Sequence, residues 1–372
     1  MKQVNGHQII QLFETWAPKR YAEDWDPVGL QVGQLNRSVT KVLVSLDVDE
    51  RIVDEAIARG AELIIAHHPL LFRPLKRVWT DTPEGRIVEK CIKHDIQVYA
   101  AHTNLDVAEG GVNDLMADAL QLENTTPLMK SYGEDLYKLV VFAPLENAEA
   151  IRQALGDAGA GEIGEYTHCS YEMIGTGRFT PSERAKPHIG RSGEAEEVEE
   201  VRIEVILPHF SKSRVMKALL QAHPYEEPAF DLIPLAQQTD EKGLGRIGTL
   251  AEPMTLRGFA EHAKRALNVP AVRVVGDVER SIKKVAVLGG SGSKYIHQAK
   301  QQGADVYVTG DMDFHTAQAC EKLHLAIIDP GHHAEKVMIA GVAEKMKTLC
   351  QEAGYEVEWL QSEVNTETFT FL

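Results

Sequence analysis

"KVLVSLDVDERIVDEAIARGAELIIAHH", residues 41 to 68, aligns without a gap with "KVAVLGGSGSKYIHQAKQQGADVYVTGD", residues 284 to 311. Lys41 meets Lys284, Val42 meets Val285, Val44 meets Val287 and Ala56 meets Ala299. Gly60-Ala61 then meets Gly303-Ala304. Each copy reads as a short β-branched run, a loop, an amphipathic helix ending at glycine, and a second apolar run. That is a βαβ unit. The apolar runs are continuous rather than alternating, which predicts parallel strands covered on both faces. A further strand follows in each copy, "IQVYAAH" (96–102) and "LAIIDPGHH" (325–333), and then a helix. The fold class expected is α/β: two related halves, 1–128 and 239–372, forming one core.

A different segment separates them. "KLVVFAPLENAEAIRQAL" (138–155) matches "RIEVILPHFSKSRVMKALL" (202–220), with Pro144 on Pro208, Ile151 on Val215 and Leu155 on Leu219. Each is a strand, a proline-marked turn and an amphipathic helix, closed by a further strand in "GEYTHCSYEMIG" and "PAFDLIPL". Two such copies predict a ferredoxin-like α+β insert at 129–238. The polar tract "TPSERAKPHIGRSGEAEEVEE" (180–200) is expected to be its exposed loop.

With 372 residues the chain exceeds one ordinary core. Its 39 basic and 55 acidic residues give a formal charge of −16, which argues against a broad nucleic-acid footprint. No apolar run approaches the roughly 20 residues that span a bilayer, so no membrane partner is expected. "MKQVNGHQIIQLFETW" does not read as a signal peptide. Cys91, Cys169, Cys320 and Cys350 form no CxxC and read as reduced thiols, consistent with a cytoplasmic location.

In open parallel sheets ligands bind beyond the carboxyl ends of the strands. His67 and His68 end one strand; His102 ends the next, with Asp106 four residues on. "TGDMD" (309–313) and "DPGHHAEK" (329–336) end two strands of the second half, and Glu335 follows His332 by three residues. Adjacent histidines alone often satisfy ordinary hydrogen bonds. Histidine at three strand ends, with carboxylates at hand, is a mixed nitrogen and oxygen set, enough for two transition-metal ions. Neighbouring residues in a strand point to opposite faces, so the chain must turn at His67-His68 or at Pro69 for both to reach one cluster.

Softer signals surround this set. "GGSGSK" (289–294) is a glycine turn whose amides could cradle a phosphate, though it is no P-loop. "FRPLKR" (72–77) supplies Arg73, Lys76 and Arg77 on a solvated loop. In "WDPVGLQVG" (25–33), Asp26 is expected to brace a turn, and Gly29 and Gly33 to allow close approach near the site. His315 and His324 are read as surface or packing residues.

These motifs together resemble the NGG-interacting-factor-three-like family, often labelled GTP cyclohydrolase I type 2 homologs. The carrying residues are "WDPVGLQVG", "HHPLLF" (67–72), "HTNLDVAEGGVND" (102–114), "GGSGS" (289–293), "TGD" (309–311) and "DPGHHAEK". The insert, ending in "HPYEEPAFDLIPL" (223–235), resembles the PII- or CutA-like domain of long bacterial members. The resemblance implies a toroidal, trimer-based homohexamer with a dinuclear metal site in each subunit. Its metal ligands map onto His67, His68, Asp106, one histidine of the pair His332 and His333, and Glu335; His332 is the choice adopted. Two divalent cations, zinc, manganese or iron, are the implied cofactors.

Three functions compete. The first is a metal-dependent hydrolase acting through a metal-bound hydroxide, on the family label a purine nucleotide ring-opening enzyme; His102 is then the candidate general acid or base. The second is a non-catalytic, ring-shaped metal-binding regulator or scaffold. The third, a nucleic-acid-binding toroid, is the least favoured by the charge.

Overall fold

Local signals start and stop the helices around the first repeat. Asp49 caps the helix Glu50–Arg59 by accepting from the Ile52 amide at 3.0 Å, and the helix ends where Gly60 takes a left-handed φ of 71°. Asn5 and Gln8 form a reciprocal capping box at the helix Gly6–Trp16. The computed structural model describes residues 4–238 and 242–372. The expected boundary at 239 lies outside the described residues.

The chain divides into two compact units: residues up to Tyr132 together with those from Lys242 onward, and the segment that starts at Gly133. In chain order the strands are β1 (Gly29–Val32), β2 (Lys41–Ser45), β3 (Leu63–Ala66), β4 (Gln97–Ala100), β5 (Glu123–Tyr132), β6 (Asp135–Pro144), β7 (Tyr171–Phe179), β8 (Glu196–Pro208), β9 (Phe230–Gln238), β10 (Lys242–Thr255), β11 (Arg273–Val275), β12 (Ser281–Ser291), β13 (Val306–Gly310), β14 (Ala326–Asp329) and β15 (Glu358–Gln361).

The first unit holds two sheets, ordered β1-β4-β3-β2-β15 and β11-β14-β13-β12-β10-β5. The repeat appears as parallel β2-β3-β4 in one and parallel β12-β13-β14 in the other. Each half also lends a strand to the other's sheet. β15 runs parallel to β2, and β5 pairs antiparallel with β10. Alternation along the strands sorts the core. Val42, Val44, Leu63 and Ile65 join Val285, Val287, Val306 and Val308 in one shared interior. Leu43, Ile64 and Val98 face the helices Glu50–Arg59 and Pro83–Lys93 on the other side. Full burial of each such aliphatic side chain contributes roughly 1.5–3 kcal/mol.

The second unit follows a βαββαβ order, with an antiparallel sheet β7-β8-β6-β9. Its helices, Ala148–Asp157 and Lys212–Ala222, pack Ile151, Leu155, Val215 and Leu219 against Leu139, Val141, Ile203 and Val205 on one face of that sheet. The expected loop 180–200 is shorter than the sequence suggests. Its last residues, from Glu196, belong to the 13-residue strand β8, because the pairing partner β7 extends to Phe179 opposite Glu196.

Candidate metal centre

The candidate ligands leave the carboxyl ends of β3, β4 and β14. His67 and His68 follow β3 directly, and their amides still bond to Ser45 O (3.2 Å) and Leu46 O (2.8 Å). The chain bends there, and both imidazoles turn the same way, with ring centroids 5.1 Å apart. Asp106 sits on the short helix Thr103–Val107 after β4. His332 and Glu335 lie on a 3₁₀ turn, His332–Lys336, that precedes the helix Val337–Glu352. In a 3₁₀ turn residues three apart eclipse. That explains why a spacing of three brings His332 Nε2 within 3.3 Å of Glu335 Oε2.

Glu335 is the hub. Its Oε1 lies 3.7 Å from His67 Nε2, and its Oε2 lies 3.1 Å from His68 Nε2. Asp106 Oδ1 is 3.7 Å from His67 Nε2 on the other side. The ring nitrogens facing away from the hub are each held. His67 Nδ1 is 2.9 Å from Ala101 O, His68 Nδ1 is 2.7 Å from Asp47, and His332 Nδ1 is 2.7 Å from Asp311. This fixes Nε2 of all three rings toward one point, the arrangement metal-binding histidines use. His67 Nε2 and Asp106 Oδ1 are buried with no hydrogen-bond partner. A buried polar atom left this way costs free energy unless something binds it. Nitrogen and oxygen donors converging on such atoms fit a metal ion. Three sets could hold one: His67 with Asp106 and Glu335, His68 with His332 and Glu335, and His67 with His68 and His102; Glu335 belongs to the first two.

The charges respond to one another. Burial pushes the Glu335 carboxyl up, but the adjoining His67, His332 and His68 outweigh it and hold its pKa well below the usual range. Burial also opposes protonation of His67 and His68. The neighbouring carboxylates outweigh it, raising His67 and lifting His68 to about 10. Hydrogen bonding to Glu335 raises His332 to about 9 against the cost of burial. Burial dominates at Asp106 and raises it.

His102 stands beside the cluster, its ring 5.1 Å from that of His67 and 5.7 Å from that of His68. Its Nδ1 is 3.1 Å from Asp26 Oδ1, while Asp26 Oδ2 accepts from the Thr103 amide at 2.9 Å and from the Thr103 hydroxyl. Asp26 thus braces the turn and His102 together. His333 makes no part of the three ligand sets. A cavity of ≈ 390 Å³ opens over the cluster, walled by Trp25, Phe72, His102, Lys294 and Tyr295. Trp25 and Phe72 pack with centroids 5.9 Å apart and are half exposed at its mouth.

Gly289 and Gly290 serve this site in a way the phosphate-cradle expectation did not include. A Cβ on Gly289 would lie 2.6 Å from Glu335 Oε1, and one on Gly290 would lie 3.1 Å from His332 Nε2. Gly29 and Gly33 are not at the site. A Cβ on them would meet Lys19 and Gln97 respectively, so they shape β1 and its approach to β4. Arg73, Lys76 and Arg77 are exposed and do not line the cavity, and His315 and His324 are exposed on or beside the helix Phe314–Lys322. Sequence reasoning missed Asp47, whose role arises only when β2 ends beside β3. It is an acidic residue just past a strand end, which is a weak signal by itself.

An α/β protein with a buried histidine–carboxylate cluster at its strand ends, able to hold a metal ion, is the class this architecture defines. Residues 4–368 match the Duf34/NIF3 (NGG1p interacting factor 3) family, and the chain belongs to it. It is 54% identical over 371 residues to a "GTP cyclohydrolase 1 type 2 homolog" of Bacillus subtilis (strain 168), with all of both chains covered. It is 52% identical over 372 residues to the protein of that name in Halalkalibacterium halodurans, again over all of both chains. Among solved structures it is similar to a Bacillus cereus protein related to NIF3 (TM-score 0.91, 52% identity) and to a Staphylococcus aureus protein (TM-score 0.84, 34% identity). Both chains are covered completely in each comparison.

Proposed function

We propose that this chain is a hydrolase that holds two divalent cations, zinc, manganese or iron, on His67, His68, Asp106, His332 and Glu335. The reading rests on Glu335, whose two oxygens face different sets: Oε1 lies 3.7 Å from His67, and Oε2 lies 3.1 and 3.3 Å from His68 and His332. A carboxylate shared in this way suits a pair of ions better than one. The unpartnered His67 Nε2 and Asp106 Oδ1 supply the need for a cation between them. Divalent ions bound there would lower the pKa of a coordinated water and polarise the bond under attack.

The chain's own residues do the rest. Asp26 fixes the ring of His102 through Nδ1, leaving Nε2 to take or give a proton beside the cluster. Trp25 and Phe72 offer aromatic faces at the mouth for a planar ring, and Lys294 offers a positive charge. A purine nucleotide opened at its ring fits this set, and it is the chemistry in the name the relatives carry. We further read the insert as PII/CutA-like, the assembly as a trimer-based toroidal homohexamer, and the location as cytoplasmic.

The test is metal analysis of protein purified without chelator, alongside turnover of GTP, other nucleotides, amides and esters with added manganese, zinc or iron. Two metal equivalents per chain and turnover that chelation abolishes are expected. Protein without metal would sink the site. Metal without turnover on any of these would favour a ring-shaped regulator.

A further inference from the structure

The insert contains a cavity of its own, ≈ 920 Å³, built on the sheet face opposite its helices. That volume falls in the range of small-molecule sites. Its floor is β7 and β8. Residues paired across an antiparallel ladder share a face, so Gly175 lies beside Glu200 there, and Met173 beside Arg202. Gly175 leaves the floor bare: a Cβ on it would meet nothing within 4 Å. Gly177 lets the Glu200 carboxylate lie across β7, since a Cβ there would sit 2.1 Å from Glu200 Oε2.

Two polar groups in this cavity have unused capacity, and their charges are opposite. Glu200 is only 9% exposed, has no ion-pair partner among the described residues, and accepts one side-chain hydrogen bond, from Tyr225 Oη at 3.1 Å. A buried carboxylate with one neutral donor is costly unless a cation or further N–H groups reach it. Arg202 bonds Glu204 through Nη2 at 2.7 Å, but its Nε is buried with no partner. Glu200 and Arg202 stand two residues apart on one strand face, about 7 Å by the strand rise. A compact ammonium–carboxylate pair can bridge that distance with one hydrogen bond to each.

The walls are aromatic. Tyr225 packs against Phe179 (6.2 Å), His188 (6.1 Å) and His223 (5.1 Å). Phe142 lies beneath the Arg202 guanidinium at 5.9 Å. His223 is locked between Phe142 O, 2.9 Å from Nε2, and the Tyr225 amide, which donates to Nδ1 at 3.1 Å. Tyr225 is therefore preorganised over Glu200. Aromatic faces next to a carboxylate favour an organic cation with an apolar body.

We propose that this cavity binds a small amino-acid-like zwitterion, with Glu200 taking its ammonium, Arg202 its carboxylate, and the ring walls its apolar or aromatic side chain. The site is separate from the histidine cluster and gives the insert a ligand of its own.

Calorimetric titration of the full chain with L-phenylalanine, phenethylamine and 3-phenylpropionate tests it. L-Phenylalanine should bind more tightly than either half-molecule. Glu200→Gln should weaken L-phenylalanine and phenethylamine about tenfold or more and spare 3-phenylpropionate. Arg202→Met should weaken L-phenylalanine and 3-phenylpropionate and spare phenethylamine. Gly175→Leu, which fills the open floor without striking the backbone, should abolish binding of all three while near-ultraviolet dichroism and metal content stay unchanged. The proposal is overturned if none of the three binds the wild type, if L-phenylalanine binds no tighter than its halves, or if Gly175→Leu binds it normally.

Discussion

At the scale of the residue, Glu335 and His102 hold different places in the cluster, and the proposed mechanism gives them different roles. Glu335 belongs to two of the three sets, so Glu335→Gln should remove at least one metal and abolish turnover, as metal analysis and rate assays would show. His102 lies outside Glu335's two sets, its ring 5.1 Å from that of His67, and the proposed hydrolase uses it as the proton-transfer group. His102→Ala should keep at least one metal yet lose rate by ~10²- to 10⁴-fold on the true substrate. A wild-type rate would remove it from the mechanism. Protonation offers a second check. His68 is lifted from 6.5 to about 10 in the metal-free fold, with burial outweighed by Asp47 and Glu335. The folded state then holds a proton that the unfolded chain gives up above 6.5. Its stabilising contribution is full below pH 6.5 and fades as pH climbs through about 10. Metal-free protein should therefore lose thermal stability between pH 7 and 10, whereas metal-loaded protein, whose imidazoles are neutral and keep only the Nδ1 proton, should lack that slope. Equal slopes in thermal melts would count against the cluster as described.

At the scale of the element, the strand ends carry the site and the glycines make room for it. β12 passes so close to Glu335 that a Cβ at Gly289 would come within 2.6 Å of its carboxylate. Gly289→Ala should push Glu335 out of line and weaken metal binding by roughly 10- to 100-fold, as displaced supporting groups do. The neighbouring fold should survive, since Gly289 has an ordinary backbone conformation. Competition with a chelator of known affinity would measure it, and unchanged affinity would show that the close approach is incidental. The same scale shows what could be read in advance. The βαβ repeat was legible because continuous apolar strands and a glycine at Gly60 or Gly303 are local signals. β5 and β15 were not, because β5 pairs with β10 and β15 with β2, each more than a hundred residues away. Glu200 reads as a loop residue in a run of glutamates, and only its register beside β7 shows it buried. Asp26 reads as a turn residue; its grip on His102 depends on β4 ending beside it.

At the scale of the whole molecule, the two related halves are laced together. β15 returns to the first sheet, and β5 crosses to the second, so neither half keeps a complete sheet without the other. Every candidate metal ligand lies in this laced unit, and none lies between Gly133 and Gln238. The insert leaves from the end of β5 and returns at the start of β10, and Tyr132 faces Lys242 across that ladder. The two ends are therefore already placed as the arms of a hairpin. A deletion of 133–241 closed by a two-residue Asn-Gly turn satisfies the geometry such a turn requires. The shortened chain should keep its full metal content and its turnover, and it should lose the binding of L-phenylalanine proposed for the insert cavity. Size and secondary structure, followed by light scattering and circular dichroism, would establish that it is folded. If the folded, shortened protein no longer held metal, the insert would have to contribute to the cluster, and the separation of the two sites would be wrong.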